Sequence, residues 1–123
     1  MSNEMDKLPT VIQSFIKATN EHDGDAYMSS FADDALVNDV ARNFRGKEPI
    51  RKWADEEIIG VKVTLKVDEI LEHYGEFMIT MLIDGNYDKS KVPDPLYLDY
   101  FFTVKADKIV RLIITKNKVK SYK

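Results

Sequence analysis

The chain has 123 residues, a formal net charge of −3 and no cysteine, with 44% hydrophobic and 32% charged residues. This length suits one domain with one core, so residues 1–123 are predicted to form a single domain. Without cysteine the chain can form neither a disulfide nor a thiolate metal site. The first ten residues carry acids where a signal peptide needs cations, and no apolar run is long enough to span a membrane, so a cytoplasmic location is expected.

Cations concentrate near the C-terminal end, where residues 105–123 hold seven Lys or Arg against one acid. A basic tail can bind nucleic acid, but these cations are spread along a predicted strand without an aromatic platform. A solvated face and tail is the favoured interpretation. Neither nucleic acid nor a membrane is therefore expected as a partner.

The first third of the chain predicts two helices. Six residues that recur at helical spacing form one apolar stripe: Leu8, Val11, Ile12, Phe15, Ile16 and Thr19. They predict a helix from about Pro9 to His22. Asp23 is a natural N-cap for a short second helix, which is expected to end at the turn marked by Asp33 and Asp34.

Residues 36–39 are predicted to form a short strand that ends at Asp39. A third helix begins at Gly46, carries an apolar stripe of Ile50, Trp53, Ala54 and Ile58, and is expected to end at Gly60. Beyond that glycine the apolar period changes from 3.6 to 2, which indicates strands for the rest of the chain.

Three later segments, residues 77–83, 96–104 and 109–115, carry large apolar side chains at both parities. A strand that is apolar on both sides needs a cover on each face. If Leu112 and Ile114 point inward, the other face is expected to bear Tyr100, Phe102 and Ile113. A second copy of the chain would cover that face, so a homodimer through the sheet face is expected.

Helices followed by antiparallel strands predict an α+β fold. We expect a cone-shaped, curved and mostly antiparallel sheet with the three N-terminal helices packed on its concave face. The open end of such a cone is the natural place for a pocket. Residues 84–96 are interpreted as a long hairpin loop, with a lid or a dimer rim as alternatives.

Two segments together resemble the nuclear transport factor 2-like superfamily, and within it the SnoaL-like branch that includes polyketide cyclases and ketosteroid isomerase. They are "VIQSFIKATNEHDGDAYMSSFADDALVNDVARNFRGKEPIRKW" and "LDYFFTVKADKIVRLIITKNK". The resemblance implies that Asp39 matches the general base of the isomerase, and that Asp99 matches the protonated aspartate of its oxyanion hole. Asp39 and Asp99 are thus the predicted catalytic residues.

The three tyrosines of the isomerase site correspond to Phe15, Phe31 and Ala54, none of which can donate a hydrogen bond. Losing one preorganised donor typically costs about 3 kcal/mol of transition-state stabilisation. Steroid isomerisation is therefore disfavoured. Proton abstraction beside a carbonyl, as in a cyclisation, remains open for Asp39, and no cofactor is expected.

The residues leave other roles open for both acids. At the mouth of an apolar cavity Asp39 would lose hydration and become a stronger base, but an ion pair with Arg42 or Arg45 would give it a structural role. Hydrogen bonding to a ligand is a third possibility. Asp99 either points inward, where it could share a proton with Asp39, or pairs across the sheet on the outer face.

A small apolar ligand is the expected partner, and seven aromatic side chains are predicted to line its pocket: Phe15, Tyr27, Phe31, Phe44, Trp53, Phe77 and Phe101. The two histidines, His22 and His73, are too isolated to predict a metal site. Two functions remain. One is a cofactor-free isomerase or cyclase that uses Asp39 as base. The other is a non-catalytic, dimeric module that binds a ligand or a protein.

Overall fold

The computed structural model describes residues 4–121. Its helices are α1 (Thr10–Asn20), α2 (Gly24–Ser29), α3 (Lys47–Ala54) and α4 (Lys118–Ser121), and its strands are β1 (Phe31–Asp39), β2 (Arg42–Arg45), β3 (Thr64–His73), β4 (Glu76–Asp84), β5 (Leu96–Lys105) and β6 (Lys108–Lys116). A π-helical turn, Asp55–Ile59, continues α3. Within the described residues, no helix is long and apolar enough to cross a membrane.

The six strands form one curved, unclosed sheet in the order β2-β1-β6-β5-β4-β3. The pairing of β1 with β6 is parallel, and all other neighbours are antiparallel. The α+β expectation is confirmed, and the short C-terminal α4 adds a fourth helix to the three predicted. The face of the sheet that carries buried Leu112 and Ile114 is called the inner face below.

The first helices form for the predicted reasons, but the second ends early. Asp23 caps α2, since its Oδ1 accepts a hydrogen bond from the backbone N–H of Ala26 at 3.1 Å. The expected end of α2 at Asp33 and Asp34 is wrong, because α2 stops at Ser29 and β1 begins at Phe31. The double aspartate lies where the register of β1 against β6 shifts, so an irregular strand was mistaken for a turn.

Tight hairpins connect three of the four antiparallel pairs, and each has two residues with positive φ at its tip. The β1–β2 hairpin uses Val40 (φ 47°) and Ala41 (φ 72°). Such turns favour Asn and Gly, because a side chain branched at Cβ clashes with the backbone at positive φ. The strained Val40 directly follows Asp39.

The register of β5 corrects the predicted faces of this strand. Tyr100 pairs with Ile114 and Phe102 pairs with Leu112. Both aromatic side chains therefore lie on the inner face, where they are buried, and not on the outer face as expected. Asp99 consequently points outward, because successive residues of a strand alternate between faces.

An aromatic cluster fills the inner face between the sheet and the helices. Phe15 of α1 is its centre, and its ring centroid lies 4.8 Å from that of Tyr27, 5.3 Å from that of Phe102 and 5.9 Å from that of Phe31. Tyr27 lies 6.5 Å from Trp53 in turn. These contacts hold α1, α2 and α3 against the central strands.

Candidate functional site at the end of strand β1

Asp39 is placed by the β1–β2 hairpin. It is the last residue of β1, pairs with Arg42 across the turn, and lies beside Ile114 of the parallel neighbour β6. Because Ile114 faces inward, Asp39 does too. The hairpin thus brings a carboxylate to the inner face and sets a guanidinium next to it.

Two donors bind the same oxygen of Asp39. Trp53 Nε1 donates to Asp39 Oδ2 at 3.0 Å, and Arg42 Nη2 donates to it at 2.7 Å. The side chain of Asp39 is 17% exposed. The other oxygen, Oδ1, has no hydrogen-bond partner among residues 4–121. Of the two predicted arginine partners, Arg42 forms the pair, while Arg45 donates to the carbonyl oxygen of Asp34 at 3.3 Å.

Two tyrosines on the inner face share the electrostatic environment of Asp39. Tyr27 of α2 is 1% exposed and Tyr100 of β5 is 2% exposed. Burial raises the pKa of Tyr27 well above its usual value, and the charges of Tyr100 and Asp39 raise it further. Burial and the charge of Asp39 likewise raise the pKa of Tyr100. Both phenols therefore stay protonated, and can donate hydrogen bonds, at neutral pH.

Neither tyrosine hydroxyl has a hydrogen-bond partner among the described residues. The hydroxyl of a buried tyrosine generally finds a partner. Both oxygens keep a little accessible surface, because His22 Nε2 is the one fully buried side-chain N or O atom without a partner among the described residues. Two unpaired donors and one unpaired carboxylate oxygen therefore occupy the same region of the inner face. Asp39, Tyr27, Tyr100, Trp53 and Arg42 are called the Asp39 site below.

Tyr100 is not among the predicted site residues, because the two faces of β5 were predicted in reverse. A signal was present: Leu96, Leu98, Tyr100 and Phe102 form an unbroken apolar row at one parity, whereas the opposite row contains Asp99.

Asp99 lies in a separate polar cluster on the outer face. Its Oδ1 accepts hydrogen bonds from Thr80 Oγ1 at 2.6 Å and from Asn117 Nδ2 at 3.1 Å. It faces away from the Asp39 site, so the two acids do not meet in one cavity. The expectation that they could share a proton is corrected by the β4–β5–β6 register.

The structure distributes the predicted lining residues unevenly. Phe15, Phe31, Tyr27 and Trp53 belong to the buried aromatic cluster, and Phe44 stacks on Trp53 at 5.8 Å. Phe77 is half buried on the inner face, opposite Phe102. Phe101, by contrast, is 41% exposed on the outer face, so it cannot line an inner pocket with the others.

Other surface features do not meet the Asp39 site. An open groove of about 690 Å³ borders α3 and is lined by Met28, Lys47, Glu48, Arg51, Lys52, Asp55 and Glu56. It contains none of the predicted site residues, and ion pairs occupy much of its wall. In the part of the chain that is described, no three His, Asp or Glu side chains are grouped to hold a metal ion.

Comparison with solved structures places the fold. A protein from Sinorhizobium meliloti, provisionally assigned as a polyketide cyclase, is 25% identical, with a TM-score of 0.76 over 90% of this chain and 98% of that one. An NTF2-like protein of unknown function from Cytophaga hutchinsonii is 13% identical, with a TM-score of 0.70 over 92% of each chain. RV0760c from Mycobacterium tuberculosis, in complex with estradiol-17beta-hemisuccinate, is 17% identical, with a TM-score of 0.71 over 87% of this chain and 91% of that one.

No family model matches the chain, and no curated protein matches it. The structural neighbours nevertheless define its class. The chain has the nuclear transport factor 2-like fold and belongs to the superfamily that contains the SnoaL-like proteins. The predicted resemblance is thereby confirmed for the fold.

Proposed function

We propose that the protein binds a small, largely apolar molecule that carries a carbonyl or enol oxygen, and that Asp39 removes a proton next to that oxygen. This makes it a cofactor-free isomerase or cyclase. One observation carries the proposal: the unpaired hydroxyls of Tyr27 and Tyr100 share a buried region with a carboxylate that keeps one oxygen free. Such a group of donors and an acceptor matches the needs of enolisation.

Each residue has a distinct role in this proposal. Trp53 and Arg42 hold Asp39 through Oδ2, so Oδ1 is the oxygen that accepts the proton. Tyr27 and Tyr100 donate to the ligand oxygen on which negative charge develops. Removing one such donor typically lowers the rate about 10²- to 10³-fold. The two tyrosines take the donor role that Phe15, Phe31 and Ala54 cannot fill.

The structural neighbours support the class of ligand. RV0760c is known in complex with estradiol-17beta-hemisuccinate, a molecule with a large apolar body. The neighbour from Sinorhizobium meliloti carries a provisional assignment to cyclisation chemistry. An aromatic interior with a few polar groups at one end suits an apolar body with one oxygen.

Proton exchange on a simple ketone tests the proposal. The probe is 2-tetralone, whose protons beside the carbonyl exchange with D₂O and are followed by NMR. The unmodified protein is expected to accelerate this exchange, and Asp39→Asn to abolish the acceleration while the fold is retained. Asp33→Asn is the matched control, because Asp33 is an exposed acid of the same strand. Equal acceleration by both variants would refute the role of Asp39.

The second candidate function is binding without chemistry. It is favoured by the Arg42 pair, which gives Asp39 a structural partner at 2.7 Å. In this case 2-naphthol, an enol analogue, binds and changes the fluorescence of Trp53, but 2-tetralone exchanges no faster than in buffer. Asp39→Asn then changes the affinity for 2-naphthol only.

We also propose that the outer face of the sheet is covered by a second copy of the chain. Leu71 is 53% and Phe101 41% exposed there, beside half-buried Met78 and Ile113. Thr80 and Asn117 already donate to Asp99 Oδ1, which lowers the cost of covering this carboxylate.

The mass in solution tests this dimer. Light scattering at about 100 μM is expected to give twice the chain mass, and Phe101→Asp to give the monomer mass. Tyr74→Asp is the control, because Tyr74 is exposed at the β3–β4 turn rather than on the face. A monomeric unmodified protein would contradict the proposal.

A further inference from the structure

The Asp39 site has no open route for a ligand. Phe15, Tyr27, Phe31 and Trp53 are each at most 2% exposed, so any space beside the two unpaired hydroxyls is too small for a ligand with a large apolar body. A ligand can therefore reach the hydroxyls of Tyr27 and Tyr100 only if a neighbouring part of the chain moves.

The π-helical turn Asp55–Ile59, called the mouth segment below, is weakly anchored beside this site. It contains no buried residue, whereas α3 directly before it is held by buried Ile50, Trp53 and Ala54. Ile58 and Ile59 pack against the core but are only partly buried. The backbone is closed by Gly60 N, which donates to the carbonyl oxygen of Asp55 at 2.9 Å, and by the N–H groups of Lys62 and Val63, which donate to the carbonyl oxygens of Ile59 and Ile58. Segments with few buried contacts open at the lowest free-energy cost.

Arg42 connects the mouth segment to the Asp39 site. Its Nη1 and Nη2 donate to the two carboxylate oxygens of Glu57 at 3.0 and 2.7 Å. The same Nη2 donates to Asp39 Oδ2, which also accepts from Trp53. One guanidinium thus links Glu57, on the mouth segment, to Asp39, at the end of β1.

We propose that the Arg42–Glu57 ion pair is a latch that closes the mouth segment against the Asp39 site, and that ligands enter when the latch opens. The inference rests on the proposed function only in naming what enters. The pair suits a reversible latch, because Arg42 and Glu57 are 52% and 41% exposed and pairs of this kind contribute little stability. Opening it releases the segment without leaving a buried charge unpaired.

The test compares Glu57→Gln with Glu56→Gln in the full chain. Glu56 is an exposed neighbour on the same turn and forms no ion pair among the described residues, so it is a matched control. The chain has one tryptophan, and its indole N–H gives one NMR signal at the hydrogen bond to Asp39. Deuterium exchange of this proton and of the backbone N–H groups of Lys62 and Val63 reports opening without any ligand.

Glu57→Gln is expected to speed exchange of the indole proton and of both backbone protons about two- to fivefold, the range that an exposed ion pair accounts for. Glu56→Gln is expected to leave all three rates unchanged. Added salt should speed exchange in the unmodified protein and have no effect in Glu57→Gln, because salt screens the pair.

Two results would overturn the latch. The first is equal indole exchange in Glu57→Gln and the unmodified protein, and the second is the same acceleration in Glu56→Gln. Neither result bears on the proposed function, which the exchange of 2-tetralone protons tests separately. Conversely, the protein could fail to accelerate proton exchange on 2-tetralone while Glu57→Gln still speeds exchange of its indole proton. That result would refute the proposed chemistry and support the latch.

Discussion

Changing Tyr27 to phenylalanine removes a buried hydroxyl that has no hydrogen-bond partner among the described residues, so we expect no loss of stability. Deleting a hydroxyl that is hydrogen-bonded costs about 1 kcal/mol, whereas burying an unpaired polar group costs about 1–3 kcal/mol. The small accessible surface that the hydroxyl oxygen keeps recovers part of that penalty. The net expectation for Tyr27→Phe is a free energy of unfolding that is unchanged or higher by up to about 1 kcal/mol.

The same substitution changes how stability depends on pH. Burial and the charges of Tyr100 and Asp39 raise the pKa of Tyr27 above its usual value of 10.0, so above pH 10 the unfolded chain loses a proton that the folded chain retains. Stability is therefore fully present below pH 10 and falls above it, by about 1.4 kcal/mol per pH unit for each such tyrosine. Tyr27→Phe removes one of these contributions, so its stability falls less steeply.

Urea unfolding followed by circular dichroism at pH 7 and at pH 10.5 measures both effects. Tyr87→Phe is the control, because the Tyr87 hydroxyl donates to the carbonyl oxygen of Ile83 at 3.3 Å, and its removal should cost about 0.5–1 kcal/mol. A loss of more than about 1 kcal/mol in Tyr27→Phe at pH 7 would mean that its hydroxyl is bonded within the protein, and would refute the reasoning.

Three further substitutions test other parts of the structure by urea unfolding. Val40→Asn should raise the free energy of unfolding by about 1 kcal/mol, because Asn tolerates the left-handed backbone that strains Val40; a decrease would contradict this strain. Gly60→Ala should lower the free energy of unfolding by about 1–3 kcal/mol, because the added Cβ would lie 2.4 Å from the carbonyl oxygen of Asp55. An unchanged free energy would contradict this close approach in the π turn. Asp99→Ala should also cost about 1–3 kcal/mol, because it leaves buried Thr80 with a weaker partner, while ketone exchange should persist; lost exchange in a folded variant would return Asp99 to the reaction.

The helices and the general architecture could be predicted because local signals agreed with the fold. The apolar stripe of α1 and the cap at Asp23 are read directly from residue spacing and type. The end of the first strand at Asp39 was also predicted correctly, since an acid after an apolar run marks such an end. These features depend on neighbours in the chain, which a sequence displays.

The faces of β5 could not be predicted with the same certainty. Both parities of residues 96–104 are rich in apolar side chains, so the alternation that normally assigns faces is weak. A one-residue difference in parity moved Tyr100 inward and Asp99 outward. Only the pairing with β4 and β6, which is not local, decides between the two arrangements.

The surroundings of Asp39 were hidden for a different reason. Nearness in the chain made Arg42 and Arg45 equally possible partners of Asp39. The β1–β2 turn contains Val40 and Ala41 in place of the Asn-Gly pair typical of such hairpins, so nothing indicated which arginine lies opposite Asp39. Glu57 is 15 residues from Arg42, and the π turn after α3 brings the two side chains into contact. The spacing of the apolar residues does not indicate a π turn. The ion pair therefore had to come from the structure.

A crystal structure with bound 2-naphthol tests the central claim most directly, namely that the Asp39 site holds the oxygen of a ligand. The account predicts the naphthol oxygen within about 3 Å of the hydroxyls of Tyr27 and Tyr100, with Asp39 Oδ1 facing the adjacent ring carbon. Naphthol bound only on the outer surface, with the aromatic cluster closed and both hydroxyls bonded to protein groups, would contradict it.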